Sequence, residues 1–292
     1  MTESGIRILG DGDEPALDRF LMRHADSSLF LRSNLQVAGL VDRGEPLQGT
    51  YAAAFRRGEI VAVAGHFWNE NLILQAPEQA AELASAAIRA SRRRLGGLIG
   101  PHEQVSSVRR GLGLMDRVTH MAEREILYAL PLAQLTLPAP LADGRVTCRG
   151  GRPEDCGLLA DWRARYGVET SGEIETEAVR RRNLATIERY IARGEQWVLE
   201  AAGAPVAAST FNARLADTVQ IGGVWTPPEL RGRGYARAVV GGSLLGARQA
   251  GIGRAVLFTP ESNHAAQRAY ESLGFRPIGD YSVTLFAADE GL

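Results

Sequence analysis

The sequence "VWTPPELRGRGYARAVV", residues 224–240, is typical of a strand end, a proline turn, a glycine-rich loop and the start of a helix. The first four N–H groups of a helix have no partner within it, and they point outward at the positive end of the helix dipole. Gly232 and Gly234 let the backbone bend and let a bulky anion approach, while Arg231 and Arg233 add charge-assisted donors. The pattern predicts a binding site for phosphate oxygens, with a helix from about residue 233 to 250.

A second motif follows the next predicted strand. In "NHAAQRAYESLGF", residues 263–275, Asn263 and Tyr270 are seven positions apart. They therefore share one helical face, roughly 10 Å apart along the axis. Each motif alone leaves a structural alternative open: a tight turn with solvated arginines for the loop, a helix N-cap for Asn263 and a half-buried aromatic for Tyr270.

Together the two motifs, each after its own strand, resemble the GNAT superfamily of N-acetyltransferases over about residues 145–290. The resemblance implies acetyl-CoA as co-substrate, Asn263 in contact with its pantetheine arm, and Tyr270 close to its sulfur. It also implies a pyrophosphate-binding loop. The residues of that loop are Arg231, Gly232, Arg233, Gly234, Tyr235 and Ala236.

The strand before the loop, "TVQIGGVW" at residues 218–225, completes the predicted cofactor site. The resemblance implies that the backbone amide of Gly223 or Val224 donates a hydrogen bond to the thioester carbonyl. Trp225 and Thr226 continue the cofactor-binding segment. The glycine pair at residues 222–223 suits a β-bulge and the close approach of a ligand, although a strand weakened beside a crowded neighbour is the alternative.

Acyl transfer also needs an acid and a base. An ordinary phenol has a pKa of ~10 and an ordinary thiol ~8.5, so Tyr270 holds a proton for the leaving thiolate at neutral pH. The segment "ETSGEIETE", residues 169–177, follows a helix predicted over 153–167 and would border the acceptor in the family. Its glutamates would favour a cationic amine. Glu173 is the predicted general base, with stabilisation of the next helix as the alternative. Three aromatic residues would wall the acceptor pocket or pack in the core: Trp162, Tyr166 and Trp225.

The first half of the chain repeats the order of elements. The segment "LIGP" at 98–101 matches "LFTP" at 257–260, but 24 positions separate Pro77 from Pro101 and 33 separate the corresponding Pro227 and Pro260. The missing part is the arginine–glycine stretch. We therefore predict an α/β protein of two tandem GNAT-like domains, residues 1–136 and 141–292. Each has a mixed, mostly antiparallel sheet flanked by helices, and residues 130–144 serve as linker.

The first domain lacks the second motif as well. The alignment places His102 opposite Asn263 and Arg109 opposite Tyr270, and neither supplies the expected chemistry. We therefore predict a degenerate first domain that binds no cofactor.

Composition excludes several other functions. The 33 basic residues, all arginine, nearly balance 34 acidic ones for a net charge of −1, which predicts no nucleic-acid or membrane partner. The two cysteines, Cys148 and Cys156, fit no metal spacing or disulfide framework and are predicted to be buried free thiols. The five histidines show no metal spacing, so no metal is predicted. The N-terminus has no apolar signal core, so a cytoplasmic location is expected. A monomer or a homodimer is also expected.

These features predict an enzyme that moves an acetyl or related acyl group from acetyl-CoA to an amine by direct attack. The acceptor is a small-molecule amine or a protein N-terminal amine. Two alternatives remain: a non-catalytic module that binds or senses CoA, and a transferase that uses another activated acyl donor, such as an aminoacyl-tRNA.

Overall fold

The computed structural model describes residues 5–287, without the side chain of Ser171. The chain divides into two compact units. The first contains the residues up to Leu127 together with the stretch from Gly279 onward, and the second is Tyr128–Ile278.

The first unit contains five strands and four helices before the chain leaves it. In chain order these are β1 (Gly5–Ile8), α1 (Glu14–Arg23), α2 (Leu29–Ala38), β2 (Gly49–Arg56), β3 (Glu59–Phe67), β4 (Asn71–Gln75), α3 (Ala80–Ser91), β5 (Gly97–Pro101) and α4 (His102–Gly111). Strand β6 (Thr119–Pro131) then crosses into the second unit.

The second unit follows the same plan with longer connections. Its elements are α5 (Ala139–Ala142), β7 (Val146–Gly150), α6 (Cys156–Ser171), α7 (Glu177–Ala192), β8 (Gln196–Ala201), β9 (Ala204–Arg214), β10 (Thr218–Trp225), α8 (Tyr235–Gln249), β11 (Arg254–Pro260) and α9 (His264–Glu271). The last strand, β12 (Arg276–Phe286), begins in the second unit and ends in the first.

The sheet of the first unit is mixed, with the order β1-β2-β3-β4-β5-β12. Only β4 and β5 are parallel neighbours. Alternate residues of a strand face opposite sides, so Tyr51 and Ala53 of β2 join a core with α1 and α2, whereas Ala52 and Ala54 join a core with α3 and α4. Helices therefore cover both faces of this sheet.

The sheet of the second unit has the order β6-β11-β10-β9-β8-β7, with β10 and β11 parallel. On one face, Val198 and Ala208 pack with side chains of α6 and α7, among them Trp162 and Ile187. Helix α8 packs on β7, β8 and β9. A Cβ added to Gly242 would lie 2.2 Å from the Cβ of Cys148.

Helix α8 can therefore approach the sheet this closely because glycine has no side chain at the point of contact. In each unit, a mixed arrangement of strands flanked by helices confirms the predicted fold class.

The predicted ranges, 1–136 and 141–292, differ from the observed units at both ends of the second domain. Strand β12 joins the first unit because residues 281–285 pair antiparallel with β5. The predicted linker, residues 130–144, contains the end of β6 and short helical turns, with Leu130 and Leu132 fully buried. This segment is therefore part of a core rather than a solvated connection.

Candidate active site

A cleft opens in the second unit where β10 and β11 diverge. Their parallel pairing joins residues 218–220 to residues 254–256, whereas β10 continues to Trp225. The register between β10 and β9 shifts between Gly222 and Trp225, which is the bulge that the glycine pair predicted. Gly223 has φ +54°, and a Cβ there would lie 2.8 Å from Thr210 Oγ1. Glycine therefore lets the backbone turn toward the cleft at this point.

The predicted anion site lies at the start of α8. The helix begins at Tyr235, two positions later than expected, because Gly234 adopts φ +78° as its N-cap. Gly232, with φ +79°, is also left-handed. The first hydrogen bond within the helix runs from the Ala238 amide to the Gly234 carbonyl at 3.0 Å. The amides of residues 235–237 precede it and are the outward-pointing donors of the helix start.

A cavity of about 590 Å³ joins this helix start to the end of β10, one face of α9 and the end of α6. Most of the predicted site residues line it. These are Val224, Trp225, Thr226, Arg231, Gly232, Gly234, Tyr235, Ala236, Asn263 and Tyr270. Gly223 lines a second, narrow cavity beside it, and Arg233 is exposed to solvent.

The two predicted residues of α9 take local roles as well. The Asn263 side chain accepts a hydrogen bond from the Ala266 amide at 3.1 Å, so it caps the helix. The ring of Tyr270 packs edge-on against Phe275, with centroids 6.1 Å apart. Next to it, the Tyr128 hydroxyl donates to Glu271 at 3.3 Å. These contacts fix the helix face that Tyr270 shares with the cavity.

Glu173 is not among the cavity-lining residues. Its carboxylate forms an ion pair with Arg182 of α7. Glu169 lines the cavity instead, because α6 continues past Gly167, its predicted end, to Ser171. Glu169 lies one turn beyond Arg165, and sequence analysis could have identified it by extending the helix by one turn.

The glutamate on α6 holds the first arginine of the loop. Glu169 Oε2 accepts from Arg231 Nη2 at 2.8 Å, while Arg231 Nε donates to the Thr226 carbonyl at 3.0 Å. The guanidinium lies 4.9 Å from the ring centroid of Trp225. Tyr166 meets the same indole edge-on at 6.1 Å. The side chain of Arg231 therefore braces the loop against α6 and β10.

The polar groups of the cavity suit an anionic ligand that also carries amide groups. Arg231, Arg237 and Arg268 line it, against the single carboxylate of Glu169. Three buried polar atoms of its lining, Trp225 Nε1, Thr226 Oγ1 and Arg237 Nε, have no hydrogen-bond partner within residues 5–287. With the glycine loop and the free amides of the helix start, these residues fit a diphosphate followed by an amide-containing chain.

The first unit does not repeat this arrangement. Its strand β4 ends at Gln75 and α3 already begins at Ala80, without an arginine–glycine stretch. His102 Nδ1 is hydrogen-bonded to Ser282 Oγ at 2.8 Å. Arg109 donates to the Met115 carbonyl at 3.2 Å. The side chains that align with Asn263 and Tyr270 are thus engaged in contacts within their own unit.

The remaining sequence predictions concern cysteines, metals and membranes. Both Cys148 and Cys156 are free and partly buried, and burial raises the pKa of the Cys148 thiol to about 12. Within residues 5–287 there is no group of three His, Cys, Asp or Glu side chains placed to hold a metal ion. In the same part of the chain, no helix is both long and apolar enough to cross a bilayer.

Comparisons with known proteins identify a family for part of the second unit. A family model described as the acetyltransferase (GNAT) family matches residues 159–275. No curated protein sequence matches the chain.

Three solved structures share the fold of the whole chain. A Drosophila protein is 13% identical, with 97% of this chain and 99% of that one covered and a TM-score of 0.67. A tandem GNAT protein from the clavulanic acid biosynthesis pathway is 13% identical, with 98% of each chain covered and a TM-score of 0.59. A GCN5-related N-acetyltransferase from Sphaerobacter thermophilus is 17% identical, with 96% and 94% covered and a TM-score of 0.59. Residues 159–275 of the second unit therefore carry the signature of the GNAT acetyltransferase family, and the chain as a whole has the fold of the tandem protein.

Proposed function

We propose that the second unit transfers an acetyl group from acetyl-CoA to an amine by direct attack. The observation that carries this proposal is one cavity that joins the start of α8, the Tyr270 face of α9 and the bulged end of β10. Donors for a diphosphate, a hydroxyl for a leaving group and the end of the bulged strand thus border the same space.

The loop and the first turn of α8 would hold the cofactor. The amides of residues 235–237 would donate to the diphosphate, with Gly232 and Gly234 giving it room. The arm would follow the α9 face that carries Asn263. Thr226 Oγ1, buried without a partner in the described part of the chain, offers it one polar contact. When bound, acetyl-CoA supplies the acetyl group as an activated thioester.

The residues around the bulge would carry the transfer. A main-chain amide at Gly223 or Val224 would donate to the carbonyl oxygen as negative charge develops there. The amine nitrogen forms its bond to the carbonyl carbon while the carbon–sulfur bond breaks, and the Tyr270 hydroxyl gives its proton to the sulfur. The surplus proton of the nitrogen passes to solvent, and solvent reprotonates Tyr270. The products are an amide and free CoA.

The acceptor would enter beside α6. Glu169 and Thr170 line the cavity there, with the Glu169 carboxylate paired to Arg231. Glu173 is engaged by Arg182 away from this space, so the proposal gives it no contact with the acceptor. The acceptor class comprises small-molecule amines and protein N-terminal amines.

A coenzyme A release assay tests the function. Acetyl-, propionyl- and succinyl-CoA are each incubated with the protein and a panel of primary amines, and free thiol is followed with time. We expect amine-dependent release, fastest with acetyl-CoA. A protein that binds acetyl-CoA but releases no thiol with any amine would contradict the proposal and favour a sensing module.

A further inference from the structure

A second, narrow cavity lies beside the bulge, on the face of the sheet covered by α6 and α7. Its volume is about 20 Å³, and it shares Tyr166 and Trp225 with the larger cavity. A space of roughly this size holds one water-sized group. Gly223 also lines it, so any group placed here would lie next to the backbone turn of β10.

Three neighbouring strands align a row of residues toward this space. Gln196 of β8 lies directly opposite Thr210 of β9, and Thr210 lies directly opposite Gly222 of β10. Directly opposed residues of antiparallel strands point to the same face of the sheet. Gln196 and Thr210 therefore share the face of the bulge, and both line the narrow cavity.

The orientation of the Gln196 amide is fixed by its neighbours. Its Nε2 donates to the backbone carbonyls of Trp197 and Ser209, each at 3.2 Å. Because carbonyls only accept, the nitrogen must face them and Oε1 must point away. Gln196 is 2% exposed, and its Oε1 has no partner within the described residues. Because Gln196 lines the narrow cavity, this buried and oriented acceptor is available to a donor group of a ligand placed there.

The side chains around Gln196 are mostly apolar. Leu159, Trp162 and Ile187 line the same cavity and belong to the apolar core between the sheet and the two helices. An unpaired polar atom is costly in such a layer unless a ligand pairs with it. Arg163 and Trp225 also line the space, and Arg163 Nε and Trp225 Nε1 likewise have no hydrogen-bond partner within residues 5–287.

We propose that Gln196 Oε1 accepts a hydrogen bond from the nitrogen of the acyl acceptor. This inference rests on the proposed function and specifies a residue that binds its acceptor. The cavity has room for one nitrogen with its hydrogens. Gln196 takes no proton; it is an acceptor-binding residue that orients the nitrogen beside Gly223.

A pair of buried glutamines provides a matched test. Gln220 is 3% exposed, its Nε2 donates to the Ile221 carbonyl at 3.0 Å, and its Oε1 also has no partner in the described part of the chain. It lines neither cavity. Gln196→Met and Gln220→Met therefore remove the same kind of buried amide, but only the first removes the proposed contact.

The measurements are steady-state kinetics with acetyl-CoA and three amines: n-butylamine, 2-phenylethylamine and glycinamide. We expect Gln196→Met to raise the KM for the amine about tenfold, the size of one lost hydrogen bond, with the acetyl-CoA affinity unchanged. Gln220→Met should keep both wild-type values. An amine KM in Gln196→Met equal to that of Gln220→Met would overturn the inference. Absence of turnover with every amine would instead refute the proposed function itself.

Discussion

Replacement of Gly234 by alanine separates a role in ligand binding from a role in folding. Gly234 is the N-cap of α8 with φ +78°, a conformation that costs an alanine about 1–2 kcal/mol. The added Cβ would meet only Arg237 Nη2, at 3.9 Å, so no clash adds to this cost. We expect Tm to fall by only a few degrees, since about 1 kcal/mol shifts Tm by roughly 2–4 °C in a unit of this size.

The effect on CoA binding should be larger than the effect on stability. The new methyl group would stand at the edge of the cavity, where a diphosphate would approach the amides of residues 235–237. A hydrogen bond from an N–H group to a charged oxygen is worth about 1.5–3 kcal/mol. Loss of one such bond lowers affinity by about 10- to 100-fold.

Gly251→Ala is the matched control. Gly251 lies just beyond the other end of α8 with φ +86°, and a Cβ there has nothing within 4 Å. Both variants are compared by thermal melting and by calorimetric titration with CoA. We expect similar losses of stability, with weaker CoA binding in Gly234→Ala alone. Equal CoA affinity in the two variants would refute the assignment of the loop.

Further predictions concern the acid, a buried carboxyl and the helix–sheet contact. Tyr270→Phe should lower turnover at least about 100-fold while the affinity for acetyl-CoA is retained. Tyr190→Phe, at a residue that lines neither cavity, should match the wild type. Equal turnover in the two variants would exclude Tyr270 as the acid. Burial raises the pKa of the Glu125 carboxyl from its ordinary 4.5 to about 7, so the folded state binds this proton more tightly and stability is lost as pH rises from 4.5 through 7. Urea unfolding gives the free energy of unfolding at pH 5 and at pH 8. Between these two pH values the wild type should lose up to about 3 kcal/mol more of it than Glu125→Gln, and equal losses in the two proteins would contradict the burial argument. Gly242→Ala should destabilise the protein by about 1–3 kcal/mol because its new Cβ would lie 2.2 Å from the Cβ of Cys148. Adding Cys148→Ala to this variant keeps the Cβ of residue 148 and should therefore not restore Tm.

The backbone features of the site could be predicted from sequence because they are local. The left-handed turns at Gly232 and Gly234 depend on glycines within one short segment, and the bulge at residues 222–223 coincides with an adjacent pair of glycines. The start of α8 follows directly from the turn that precedes it. The sequence signal and the physical cause therefore lie within a few residues of each other.

The position of the carboxylate at the cavity could not be predicted as reliably. Gly167 suggested a helix end, because glycine usually weakens a helix interior, but α6 continues to Ser171. One additional turn brings Glu169 to the cavity, while Glu173 meets Arg182 beyond the helix end. The side chain that reaches the site therefore depends on where the helix stops, and tertiary packing decides this.

The division of the chain at its C-terminus was also beyond sequence reasoning. Residues 276–286 form the last strand, β12. Nothing in an alternating strand sequence states which partner it will pair with, and β12 pairs with β5, far away along the chain. The unit to which β12 belongs therefore depends on this long-range pairing.

A crystal structure of the protein with bound coenzyme A tests the central claim most directly. The account predicts diphosphate oxygens within hydrogen-bond distance of the main-chain amides at residues 235–237, with the pantetheine arm running along α9 toward Tyr270. A diphosphate bound elsewhere on the chain, or an empty cavity at saturating coenzyme A, would contradict it.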